Sequence, residues 1–204
     1  MVVGSDVGFG PAAWTLVDGA WRPLPVDDEG DLWWIALDGD WLSGEGRLLD
    51  FSQDPPLRVE LPGTIFGVSD TLAVGSEGVW LRDGQDWRPL SVPVDSALWK
   101  TWGQHVVGAG GQVLRLDGEE LVVEASGVLD QPLFTVHGDG ERLLAVGGAT
   151  SGLVLEQVEG AWQSSSIEGA RPLTGVFART GCSAVAVGPG GGVWQQRGSG
   201  AWGP

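Results

Sequence analysis

Few residues in this sequence are able to do chemistry, and their spacing limits what they could do. There are two histidines, His105 and His137, one cysteine, Cys182, and twelve tryptophans. His105 stands directly before a "VVG" stretch, and His137 and Cys182 fall in or near the first turns of two consecutive segments, an arrangement that would turn all three toward one rim. A Cys–His pair is nucleophilic only when its atoms come within hydrogen-bond reach, and turn-forming histidines beside a buried thiol are the simpler expectation. No HExxH, CxxC, GxSxG or Walker-type spacing occurs. The glycine-rich "VGPGGG" ending at Gly192 leads into another strand-like stretch, so no helix N-terminus is expected there to hold a phosphate.

Acidic residues cluster as "DDEGD" from Asp27 to Asp31, "DGD" from Asp38 to Asp40 and "GDGE" ending at Glu141. These could supply oxygens to calcium, yet none has the DxDxDG loop spacing, and Asp beside Gly is ordinary turn chemistry. No cofactor is expected, with calcium the one metal to test. Tryptophans suit packing, and an exposed ring suits stacking on a sugar face. The ligand-binding candidates are therefore Trp34, Trp80, Trp102 and Trp194, with His105 and His137; no catalytic or metal-binding residue is singled out.

The 204 residues carry 27 acidic and 11 basic side chains, a formal charge of −16. Without a basic stripe this argues against nucleic acid or an anionic membrane as partner, because both need clustered Lys and Arg to displace counterions. The bland reading of the acidity is solubility. Apolar runs such as Leu32 to Leu37 are too short to span a bilayer, and "MVVGSDVGFG" resembles no signal peptide. The expectation is a cytoplasmic protein or a mature exported form whose leader has been removed. A lone cysteine forms no intrachain disulfide. Tyr and Asn are absent and Lys100 is the single lysine, a bias typical of a bacterium with a GC-rich genome. Missing Tyr also removes the nucleophile that retaining sialidases use.

What must position these residues is a repeat. A small apolar pair followed by Gly recurs, ending at Gly4, Gly44, Gly75, Gly108, Gly147 and Gly188, with a mean spacing of about 37 residues. Each Gly is followed by a turn, an apolar stretch such as "GVWLR" or "GLVLEQV", and in most units a second turn leading to Trp21, Trp87, Trp162 or Trp202. From the second unit onward another apolar stretch precedes it: "LWWIA", "IFGV", "LWKTW", "LFTV" and "LTGVF". Short β-branched or aromatic runs punctuated by Gly, Asp and Pro predict strands and tight turns, and 35 glycines leave no room for a long helix.

The chain is therefore expected to be all-β: a β-propeller of about six four-stranded blades, because such units must stack to bury both faces. One domain over 1–204 is expected, with units at about 1–26 (lacking its opening strand), 27–63, 64–94, 95–131, 132–171 and 172–204. Period-two alternation would place adjacent Trp33 and Trp34, and oddly spaced Trp99 and Trp102, on opposite faces.

Units such as "LFTVHGDGERLLAVGGATSGLVLEQVEGAW" resemble the short propeller repeats of myxobacterial and related bacterial proteins, relatives of the photosystem II assembly factor and BNR-type propellers. "RDGQDW" ending at Trp87 echoes the BNR Asp-box without its Ser, and the six-unit, Trp-rich layout is similar to tectonin-type propeller lectins, without their repeated "VWGV" strand. The resemblance implies a scaffold, and a scaffold hosts many functions. A rigid repeat frame without catalytic motifs suits a non-catalytic module that binds a protein partner through rim loops, here the longer ones at 27–31, 125–132, 147–152 and 163–171. The alternative is a glycan-binding lectin with repeated pockets between blades.

Overall fold

The computed structural model describes residues 2–6, 10–24, 26, 32–35, 41–53, 55–124, 130–139, 141–197 and 200–204. The chain divides into two compact units, Met1–Leu90 and Ser91–Pro204. Among the described residues all regular structure is strand except the short 3₁₀ turn Pro189–Gly191.

Unit one holds β1 (Val2–Asp6), β2 (Gly10–Val17), β3 (Ala20–Pro23), β4 (Leu32–Ile35), β5 (Trp41–Asp50), β6 (Leu57–Val68), β7 (Leu72–Gly75), β8 (Gly78–Asp83) and β9 (Asp86–Leu90). The first three form a three-stranded antiparallel sheet. The next six form one continuous sheet where two four-stranded ones were expected. The reason is a missing turn residue. A hairpin connection needs at least two residues, and "GSEG" at Gly75–Gly78 has them, whereas "GEG" at Gly44–Gly46 has one residue between its glycines. The chain runs straight on as β5, with Gly46 left-handed at φ 69° where the register shifts. β6 likewise joins the expected last strand of one unit to the first of the next, so the expected 63/64 boundary lies inside a strand.

Unit two keeps the repeat intact. β10 (Leu98–Trp102), β11 (His105–Gly108), β12 (Val113–Asp117) and β13 (Glu120–Glu124) form one meander. β14 (Leu133–Gly138), β15 (Leu143–Gly147), β16 (Gly152–Val158) and β17 (Ala161–Ile167) form the second, and β18 (Gly175–Phe177), β19 (Val185–Gly188), β20 (Gly192–Arg197) and β21 (Ala201–Gly203) the third. The expected rim loop 163–171 is partly strand: β16 and β17 pair without interruption from Gly152↔Ile167 to Val158↔Ala161, so the extra residues lengthen a hairpin.

The core of unit two lies between successive sheets. Val107 and Val113, cross-strand partners on one face of the first meander, pack with Ala145, Leu155 and Trp162 on the facing side of the second. Val146 and Val154, the same pair one repeat later, pack with Ala186, Trp194 and Trp202 of the third. We call the valine-pair side of a sheet its front and the tryptophan side its back. Alternation puts Ala145 and Val146 on opposite faces, and burial of both is what a sheet stacked on two sides requires. Unit one uses the same arrangement: Trp80 lies with Trp41, Ile65 and Ala73 in a buried cluster.

Candidate functional site

In unit two the strands β10, β14 and β18 head the three sheets. Both β10 and β14 carry a β-bulge next to their first residue, at Trp99 and Phe134: Leu98 pairs with Gly108 but Lys100 with Val107, and Leu133 with Gly147 but Thr135 with Val146. A bulge inserts one unpaired residue and re-aims its side chain. Here it stacks the Trp99 and Phe134 rings, centroids 5.2 Å apart and planes 7° from parallel. Both rings stay half-buried. The bulge also overturns the expectation that Trp99 and Trp102 face opposite ways. Slipping the alternation by one residue sends both toward β14, where Trp102 meets His137 with ring centroids 4.0 Å apart.

The loops around the stacked pair are held at the strand starts. Ala109 N–H donates to Ala97 O at 2.7 Å, and Ser96 Oγ donates to Gln112 Oε1 at 2.9 Å. One repeat on, Gly148 N–H donates to Pro132 O at 2.8 Å and Ala149 N–H to Gln131 Oε1 at 3.0 Å. Segments 130–132 and 147–152, two of the stretches the sequence marks as long loops, thus border Phe134; residues 27–31 and 125–129 lie outside the described residues.

Beside the pair, burial pulls the Lys100 ammonium down from 10.5 to about 8. Folding therefore carries a cost while Lys100 is charged, as it still mostly is at neutral pH. Stability should rise as pH climbs from about 8 to 10.5, the interval in which the unfolded chain holds more protons than the folded one. Lys100→Met should remove that slope and stabilise the protein at pH 7 by on the order of 2 kcal/mol, the gap closing above pH 10.5. Urea midpoints across this range test it, and parallel curves for the two proteins would contradict it.

Of the sequence-derived candidates in unit two, Trp102 and His137 meet, while His105 and Trp194 make other contacts. Trp80 is only 4% exposed and is corrected from a stacking ring to a core residue, because its strand is covered on that face. Trp34 pairs with Ser43 in β4, and its side chain lies outside the described set. Trp102 packs on His137, and Trp194 packs against the core between the second and third sheets. His137 is buried: its Nδ1 lies 3.1 Å from Ala178 N–H, one repeat ahead, and its ring sits 4.8 Å from that of Phe177. His105 also faces the following sheet, its Nε2 3.6 Å from Glu124 Oε2 of its own sheet and its ring edge-on to Trp162 of the next. Burial first, and then Arg115, lowers its pKa, while Glu124 opposes them. Glu124 also accepts from Trp162 Nε1 at 2.7 Å and Arg115 Nε at 2.9 Å. Cys182 is exposed, and its carbonyl accepts from Arg142 Nη1 at 2.9 Å.

Of the acidic clusters, those at 27–31 and 38–40 lie outside the described residues. Asp139 of the third is occupied: its Oδ2 accepts from Thr180 N–H at 2.5 Å, and its Oδ1 from the Thr180 hydroxyl at 2.8 Å. The bonds from Thr180 hold this carboxyl below its ordinary 3.8. Among the described residues no group of three or more His, Cys, Asp and Glu could hold a metal, and no helix is long and apolar enough to cross a membrane. A pocket of about 390 Å³ opens beside Arg142, Glu156, Cys182 and Gln196. Its polar groups bond one another: Arg142 Nε donates to Glu156 Oε1 at 3.0 Å, Gln196 Nε2 to Glu156 Oε2 at 3.2 Å, and Arg142 Nη2 to Gln196 Oε1.

Sequence reasoning missed the Trp99–Phe134 pair, although a signal existed. The second residue of the stretch preceding each Gly is aromatic in four units: Trp33, Phe66, Trp99 and Phe134. At all four positions the register shifts.

No known protein family matches the chain, and no curated protein matches it. Among solved structures, "YCF48 bound to D1 peptide" is similar, with a TM-score of 0.57 and 15% identity over 80% of this chain and 62% of that one. This chain thus spans less than two thirds of that structure's length. The likeness shows a propeller-like, all-β fold.

Proposed function

We propose that the chain is a non-catalytic β-propeller of about six blade units that binds an extended segment of a partner protein, with the Trp99–Phe134 pair as its anchor. The observation that carries this reading is that pair: two stacked, near-parallel rings, half-buried, re-aimed by bulges and bordered by loops tied down at 95–97, 109–112, 130–132 and 147–152. Rigid aromatic anchors with tethered loops around them are what peptide and protein interfaces concentrate their affinity on. Support also comes from the similar solved structure, which holds a peptide. With a charge of −16, the chain favours a neutral or cationic segment.

The test is selection of a random-peptide display library on the immobilised chain, beside a glycan array run with and without calcium. Peptides should be enriched, and Trp99→Ala should weaken them by about 2 kcal/mol, roughly thirtyfold. Peptides that bind Trp99→Ala as well as the parent would remove the anchor. A silent peptide screen with a narrow sugar class on the array would replace this reading with the lectin one, and loss of that signal without calcium would assign the acidic turns to the metal.

A further inference from the structure

Among the described residues the sheets end on β3, β9, β13, β17 and β21 as their last strands. A last strand leaves a row of N–H and C=O groups unpaired, and proteins blunt such an edge with charged side chains, proline or short length. Four of these strands carry such a device. β3 has Arg22 and Pro23, β9 has Asp86, Arg88 and Pro89, β13 begins on Glu120 and ends on Glu124, and β21 is only three residues long. β17 carries none. Its seven residues, "AWQSSSI", hold no charge and no proline, and they pair with β16 without a bulge.

The open side of β17 is its edge alone. Both faces of its sheet are packed within unit two, Trp162 in the cluster shared with the first meander and Ile167 in the cluster shared with the third. Between them Gln163, Ser164, Ser165 and Ser166 are all exposed. The two-residue turn Glu159–Gly160 is left-handed at both positions, with φ 51° and 78°, which makes Val158 and Ala161 a hydrogen-bonded pair. Alternation from that pair turns the backbone N–H and C=O of Trp162, Ser164 and Ser166 away from β16.

We infer that the β17 edge is an interaction surface that takes an extended segment of a partner protein as a fifth strand, uncharged beside Trp162–Ser166 and carrying Lys or Arg at its ends. Main-chain bonds supply the affinity in such strand addition. Charge specifies the ends. β17 is neutral, but exposed Glu159 and Glu168 stand just beyond its two termini, on a chain of net charge −16. The nearest basic residue in sequence, Arg171, lies beyond the turn in which Ala170 N–H donates to Ile167 O. The same glutamates disfavour a second copy as occupant: two β17 strands paired antiparallel about Ser164 would set Glu159 of each chain opposite Gly169 of the other, one residue from a like charge. The Trp99–Phe134 pair is a separate place, since Phe134 lies in β14, at the opposite edge of this sheet.

A random ten-residue peptide library selected on the full chain carrying Trp99→Ala tests the edge without that pair. Enriched peptides should place β-branched or hydroxyl residues between Lys or Arg ends. Ser164→Pro should weaken them at least tenfold; the Ser164 N–H points outward, where proline removes no bond to β16. Glu159→Lys combined with Glu168→Lys should also weaken them at least tenfold and leave the melting curve unchanged. In amide hydrogen exchange, Trp162, Ser164 and Ser166 should exchange fast in the free chain and slow at least tenfold when the tightest selected peptide is added, while Gln163 and Ser165 stay as they were. Any of four results overturns the inference: a library that enriches nothing, peptides that bind the Ser164→Pro chain as tightly as the parent, slow exchange of the three outward amides in the free chain, or a sedimentation mass that rises with concentration unless Ser164→Pro is present, which would seat a second copy on the edge. Peptides that depend on Trp99 are read separately on the parent chain, so either proposal can fail alone.

Discussion

Gly147→Ala should destabilise the protein by about 3 kcal/mol, the upper end for overpacking a tight interior. Gly188→Ala should cost about 1 kcal/mol, at the lower end of that range. Both glycines end the same repeated tripeptide, so composition alone makes them equivalent. A Cβ on Gly147 would meet Pro132 O, Pro132 C and Leu133 Cα, all under 3.0 Å and all backbone. On Gly188 the nearest atom, Pro172 O, is 3.0 Å away. Gly108 matches Gly147, with the Ala97 carbonyl and Leu98 Cα in the way. In each tight case the intruding carbonyl is the acceptor that ties the following turn, Ala97 O for Ala109 N–H and Pro132 O for Gly148 N–H. The backbone cannot retreat without losing that bond and the bulge behind it. Denaturant midpoints should therefore order Gly147→Ala and Gly108→Ala together, well below Gly188→Ala. Equal losses at all three would mean that the recurring Gly serves conformation and not close approach.

That contrast shows what the sequence could and could not convey. The period was legible because Gly punctuates it, and alternation around it located nearly every strand of unit two. The reason for the Gly was not legible: it depends on a carbonyl that approaches from earlier in the chain, at the start of the paired strand, Ala97 for Gly108 and Pro132 for Gly147. Period-two reasoning failed for Trp99 and Trp102 because one unpaired residue inverts every later assignment in a strand. It failed again at Gly44–Gly46, where a single absent turn residue converts a hairpin into the ten-residue strand β5. The candidate site suffered most. Abundant tryptophan made ring type uninformative, and what separates the core ring of Trp80 from the half-open ring of Trp99 is the packing around each, which sequence does not display.

The same substitution at two repeat-equivalent positions should have opposite consequences. Val146→Asp places a carboxylate at a fully buried site among Leu144, Val154, Leu173 and Ala186, none of which can pair with it. An uncompensated buried charge costs about 3–5 kcal/mol, enough to unfold a marginal domain at neutral pH. Acidification toward the raised pKa of such a group should recover part of the loss, because the neutral acid is cheaper to bury. Val187→Asp occupies the corresponding register position in the third sheet, where the parent side chain is already 40% exposed. Its effect on the isolated chain should stay within about 0.5 kcal/mol, as for an ordinary surface change. Equilibrium unfolding of the two variants separates the cases: Val146→Asp should unfold at much lower denaturant than the parent, Val187→Asp close to it. A Val187→Asp chain that unfolds like Val146→Asp would mean that this front is already covered within the folded monomer.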